Sequence, residues 1–154
     1  MERLETEWRK HPVLIFDMAA GKHYTEETLS AELDRQLCIW ESIYGRDKQD
    51  ASLNGRLASL IRNACEQAGK SAVVLIDNYD APLLERRLED PELKKLRMIM
   101  ENFYGTIKGA DPYLQFVFLT GLTRYANSHF YSGLNCVSNV SMHGQYAGIC
   151  GITE

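Results

Sequence analysis

"SAVVLIDNYDAPLL", Ser71–Leu84, is the stretch on which the reading of the fold turns. Four apolar residues, Val73–Ile76, run without interruption into Asp77, and a second acid, Asp80, follows shortly after. A short apolar run with no polar alternation reads as a strand buried on both faces, as in a parallel sheet. In open parallel sheets, ligands sit beyond the carboxyl ends of the strands. A carboxylate placed there can hold a hydrated magnesium ion against phosphates, because magnesium keeps several waters and needs only one or two carboxylates. It can also simply cap the loop that follows the strand. Pattern alone leaves both readings open.

Working outward, "VLIFDM", Val13–Met18, is another short apolar run, and Pro12 before it favours an extended entry. Thr25 is placed to cap a helix over about 25–44, whose apolar stripe is Leu29, Leu33, Leu37, Trp40 and Tyr44. After a polar linker, Leu53, Leu57, Leu60, Ile61, Ala64, Cys65 and Ala68 repeat the helical spacing, and Gly69 can end that helix. Asp80 and Pro82 open a short helix. Asp90 and Pro91 open a longer one, with the stripe Leu93, Leu96, Met100, Phe103 and Ile107 and a stop at Gly109. Leu114–Gly121, "LQFVFLTG", reads as a third strand. The remainder is polar and glycine-rich, with one short strand expected in "CVSNVSM", Cys136–Met142.

The order β α α β α α β calls for crossovers, hence an α/β fold with a parallel sheet and right-handed connections. A three-layer α/β/α arrangement is the expectation. It brings Asp17, Asp77 and Thr120 to one edge of the sheet.

The chain has 154 residues, 45% hydrophobic and 25% charged, with a net charge of −4. This size and composition fit one domain over 1–154. The acidic balance argues against a broad nucleic-acid footprint, which needs clustered Lys and Arg, and leaves room for a nucleotide. The four cysteines, Cys38, Cys65, Cys136 and Cys150, form no C-x-x-C pair. Cys38 and Cys65 fall in apolar helical patterns, which suggests buried free thiols and a reducing, cytoplasmic compartment. The start of the chain carries no apolar signal region, and no run approaches the ~18 apolar residues of a membrane span. His11, His23, His129 and His143 lack ligand spacing, so zinc is not expected. Asp17, Asp77 and Asp80 could hold two metals for phosphodiester cleavage, but the acidic charge disfavours that chemistry.

Several blocks, in order, carry a family likeness. "VVLIDNYDAPLL" resembles the Walker B segment of the bacterial AAA-ATPase-like family, within the P-loop NTPases, which usually reads as four apolar residues followed by I-D-E-Y-D-x-P-L. "HPVLIFDM" is similar to that family's preceding strand and "SLNGRLASLIRNA" to its next helix. Thr120–Arg124, "TGLTR", resembles its T-G-x-[ST]-[RK] sensor block. The likeness covers nearly the whole chain. It implies a sheet of order 5-1-4-3-2, counted from the Walker A strand, of which this chain would supply 4-3-2 as an incomplete half. It further implies ATP and Mg2+ as ligands, with Asp77 on the metal, Thr120 sensing the nucleotide, and Arg124 neutralising transition-state charge.

Two departures follow. A phosphate loop needs G-x-x-x-x-G-K-[ST] between strand and helix, and none is present. Gly69–Ser71 precedes a strand instead of following one, and after Gly21 and Lys22 stands His23 where the loop needs a hydroxyl. The chain is therefore expected to start downstream of that loop and, as it stands, to bind nucleotide weakly. Second, Asn78 stands where the family has the glutamate that polarises the attacking water. An amide cannot take a proton, so slow hydrolysis or none is expected. The alternative expectation is a degenerate, non-enzymatic interaction module that self-associates through an exposed sheet edge.

Overall fold

A computed structural model describes residues 9–21, 25–84, 91–122, 137–141 and 143–146. Three strands form a parallel sheet in the order β1 (Val13–Asp17), β2 (Ala72–Asp77), β3 (Leu114–Leu119). Between β1 and β2 lie α1 (Glu26–Tyr44) and α2 (Leu53–Ala68). Between β2 and β3 lie α3 (Ala81–Leu84) and α4 (Pro91–Gly109). Two 3-10 turns complete the described elements, Asp111–Tyr113 and Gly144–Tyr146.

The boundaries have local causes. Thr25 caps α1, its hydroxyl accepting from Thr28 N while the Thr28 hydroxyl accepts from Thr25 N. Ser52 caps α2 through Gly55 N at 3.0 Å. Gly69 ends α2 at φ 60°, a left-handed turn that costs a glycine little, and its N–H returns to Cys65 and Glu66 carbonyls. Pro91 opens α4, where its missing N–H is harmless.

Alternate strand residues decide what is buried. Leu14, Phe16, Val74 and Ile76 face the layer made by α1, α2 and α4 and are at most 1% exposed. Leu29, Leu33 and Leu37 from α1, Leu57, Leu60 and Ile61 from α2, and Leu96, Met100, Phe103 and Ile107 from α4 complete that core. Phe16 meets Phe103 edge to face at 5.7 Å. Each such fully buried side chain contributes about 1.5–3 kcal/mol. The two crossover helices α1 and α2 are also locked by charge. Arg56, 3% exposed, grips Glu41 in a fork with both bonds at 2.8 Å and also reaches Asp34. The Glu41 carboxylate, opposed by burial, holds that guanidinium above the ordinary arginine range.

Three expectations need correction. The helices described lie on one face, so the described residues make two layers rather than three. On the other face Val13 is 36%, Ile15 48% and Phe116 54% exposed, while Val73 and Leu75 are half-buried. The reading of β2 as buried on both faces took lack of polar residues for burial, yet an apolar face stays open when nothing packs on it. Cys38 is exposed and Cys65 half-buried, both free, because the flank of a helical stripe still reaches solvent; Cys136 and Cys150 lie outside the described residues. Residues 137–141 form no strand; Cys136 and Met142, the ends of that expected strand, are not among the described residues.

The sheet's two edges differ. On β1, Gln36 returns both hydrogen bonds of a missing neighbour, with Asp17 N donating to Oε1 at 2.9 Å and Nε2 donating to Asp17 O at 2.8 Å. Trp40 Nε1 adds a bond to Ile15 O at 2.9 Å. The α1 side chains thus cap this edge. No described strand pairs with the outer edge of β3.

Candidate functional site

The carboxyl ends of the strands gather the acids that the sequence singled out. Asp17 and Asp77 are register partners on neighbouring parallel strands, so their side chains share a face. That face is the one without described helices, continuing Val13 and Ile15 on β1 and Val73 and Leu75 on β2. The ladder continues past the strands, with Thr120 N donating to Ile76 O at 2.9 Å and Tyr79 N to Thr120 O at 2.8 Å. Thr120 is thereby fixed beside Asp77, and its hydroxyl donates to Asp77 Oδ1.

Asn78 follows Asp77 with φ 53°, the sole described non-glycine residue in the left-handed region. Asparagine tolerates that region better than most residues, and such outliers cluster at functional turns. Its N–H donates to Asp77 Oδ1 at 3.1 Å and to Thr120 Oγ1 at 3.2 Å. Its side-chain Nδ2 donates to Asp17 Oδ1 at 3.3 Å. Asp17 Oδ1 also accepts from Ala19 N at 2.9 Å. Asn78 therefore stitches the two carboxylates and the threonine into one constellation.

Asp80 belongs elsewhere. It is 0% exposed, and its Oδ1 accepts from Leu122 N at 3.2 Å, tying the β2 turn to the chain after β3. Below it, the buried Tyr104 hydroxyl donates to Tyr79 O at 2.9 Å. Burial, and then the nearby Asp80 charge, push that phenol well above its ordinary range. Gly121 allows the close approach here, since a Cβ would meet Tyr79 ring carbons at 2.5 and 2.6 Å and Asp80 Oδ1 at 2.6 Å. Arg124 lies outside the described residues.

Asp77 and the Thr120 hydroxyl bonded to it present hard oxygens, which fit magnesium and not a soft metal. Among the described residues no group of three or more His, Cys, Asp or Glu could enclose a metal. Beside Asp17, a shallow cleft of about 240 Å³ runs between Ile15, Ile39, Arg35 and Trp40. Sequence inspection missed Gln36, whose signal was a polar residue inside the apolar stripe of α1. It also missed the left-handed turn at Asn78, for which the asparagine itself was the clue.

The described residues form an α/β fold with a three-stranded parallel sheet flanked by helices. The sequence profile of the family described as "Predicted AAA-ATPase" matches residues 1–130, and the chain belongs to that family. A protein of Azotobacter chroococcum mcd 1, described as "Uncharacterized protein in vnfD 5'region", is 32% identical over 147 residues. The match takes in 95% of this chain and 28% of that relative, so the chain spans well under half the length of the protein it matches. No solved structure matches the chain. No helix among the described residues is long and apolar enough to cross a membrane.

Proposed function

We propose that residues 1–154 are a single partial nucleotide-binding domain, the Walker B and sensor half of a P-loop ATPase. The carrying observation is Asp77, at the carboxyl end of the central strand, with the Thr120 hydroxyl bonded to its carboxylate. In this reading Asp77 holds the magnesium of MgATP, Thr120 reports on the terminal phosphate, and Arg124 neutralises developing charge. When bound, the cation supplies charge neutralisation between phosphates. Asn78 positions groups by hydrogen bonding and contributes no base of its own.

Topology supports placing the sheet within the P-loop fold. Passage from β1 to β3 moves in one direction, with the helices on one face. A strand at the free edge of β3, crossing back to β1 in the right-handed sense, would lay its helix on the opposite, open face. The exposed Ile15 and Phe116 are apolar, as such a packing face requires.

Calorimetric titration tests the reading. This chain alone, without a glycine-rich amide cradle, is expected to bind MgATP only weakly. The protein expressed from its complete reading frame is expected to bind MgATP in a magnesium-dependent way, and Asp77→Asn to remove most of that dependence. Micromolar binding by the 154 residues alone would overturn the account of the phosphate loop. Nucleotide binding indifferent to magnesium and to Asp77 would overturn the assignment of the site.

A further inference from the structure

We propose that Asp17 supplies the general base that position 78 does not, and that Asn78 is the positioning residue that aims it. The proposal rests on the nucleotide reading above and identifies how hydrolysis proceeds at that same site.

Three carboxylates lie near the carboxyl edge of the sheet, and their surroundings separate their roles. Asp80 is fully buried and engaged by Leu122 N, out of reach of a water at the sheet edge. Asp77 takes the Thr120 hydroxyl and the Asn78 N–H on its Oδ1 and is assigned to the cation. Asp17 is anchored differently. Both of its donors, Ala19 N and Asn78 Nδ2, fall on Oδ1. No donor among the described residues takes its Oδ2. The carboxylate is therefore held by one oxygen while the other is available to a water. It is half-buried rather than enclosed, on the face and at the register position of Asp77.

The turn at Asn78 makes this arrangement possible. Its backbone in the left-handed region directs the side chain back toward β1 instead of onward. A glutamate at 78 would bear the steric cost of that region and place a third negative charge beside Asp17 and Asp77. The amide carries no charge and donates a hydrogen bond, which is what a neighbouring carboxylate can accept.

In the reaction, Asp17 accepts a proton from the attacking water as its oxygen bonds to the γ-phosphorus of a nucleoside triphosphate. The bond from that phosphorus to the β–γ bridging oxygen breaks, and its electron pair leaves with the nucleoside diphosphate. Inorganic phosphate is the other product, and the proton passes from Asp17 to solvent.

The test uses the protein from its complete reading frame for hydrolysis and the 154-residue chain for stability. Asp17→Asn, nearly isosteric, is expected to lower kcat by about 10²–10⁴-fold, with MgATP affinity unchanged. Asn78→Ala is expected to lower kcat while sparing affinity. Asn78→Glu is expected not to accelerate hydrolysis. Independently of activity, thermal unfolding of Asp17→Asn, Asn78→Ala and the double variant is expected to be non-additive by about 2–4 °C in Tm. Wild-type rates in Asp17→Asn, additive melting shifts, or a large gain from Asn78→Glu would each overturn the proposal. So would wild-type protein that binds MgATP and never hydrolyses it, a result that leaves the nucleotide reading standing. Absence of MgATP binding by the wild type would overturn that reading itself, and this proposal with it.

Discussion

Ile15 and Phe16 are neighbours on β1, yet Ile15 is 48% exposed and Phe16 0%. They belong to the two faces of one sheet. Behind Phe16 stand three helices, a contiguous apolar core and the Arg56–Glu41 fork. Around Ile15 there is an open apolar surface that ends, at the carboxyl edge, in Asp17, Asp77 and Thr120. The first face holds the fold together. The second presents Asp17, Asp77 and Thr120 at its edge, and its apolar side chains stay partly exposed and so contribute less to stability than those of the core. Stability and candidate function are thus divided between alternate positions of the same strands.

That division can be tested by substitution. The largest effect is expected at Phe16→Ala, about 3–5 kcal/mol of destabilisation from lost burial and a cavity against Phe103. Urea denaturation measures it, and a loss below ~1 kcal/mol would show that the helix layer does not anchor the sheet. Gly121→Ala sits at the join between the faces. Its methyl group would press on Tyr79 and Asp80, at an expected cost of about 1–3 kcal/mol, and shift Thr120 away from Asp77. Denaturation, together with the magnesium dependence of nucleotide binding, reads both consequences. The smallest effect is expected at Phe116→Lys on the open face, about 1 kcal/mol or less for this chain, since the residue is 54% exposed and its ring stacks on Phe118. A much larger loss in the protein from its complete reading frame would mean that another segment covers that face there. Light scattering on the same variant checks self-association. Concentration-dependent assembly that persists in Phe116→Lys would favour the interaction-module alternative, which pairs strand edges and not faces.

Much of the fold was legible because its signals are local. Thr25, Gly69 and Pro91 mark helix ends through their own backbone chemistry, and apolar spacing marked the stripes of α1, α2 and α4. The order of elements required crossovers, and crossovers required parallel strands. The candidate site was legible in part, since strand ends in a parallel sheet meet at one edge whatever the detail of packing. The open face was not legible, because Val13, Ile15, Val73 and Leu75 are as apolar as the residues that are buried. Nor was the reach of Asp80, which stands just before α3 and also accepts a hydrogen bond from Leu122 N.

The sequence by itself determined the parallel α/β plan and the gathering of Asp17, Asp77 and Thr120, because periodicity and connectivity depend on residues close along the chain. Only the tertiary structure decided which face of the sheet is covered, that Gln36 closes one edge, and that the Asn78 amide turns back to Asp17. Those outcomes depend on contacts between residues 19 and 61 positions apart, as at Gln36–Asp17 and Asn78–Asp17. No local propensity encodes such contacts, and they form only when the layers pack.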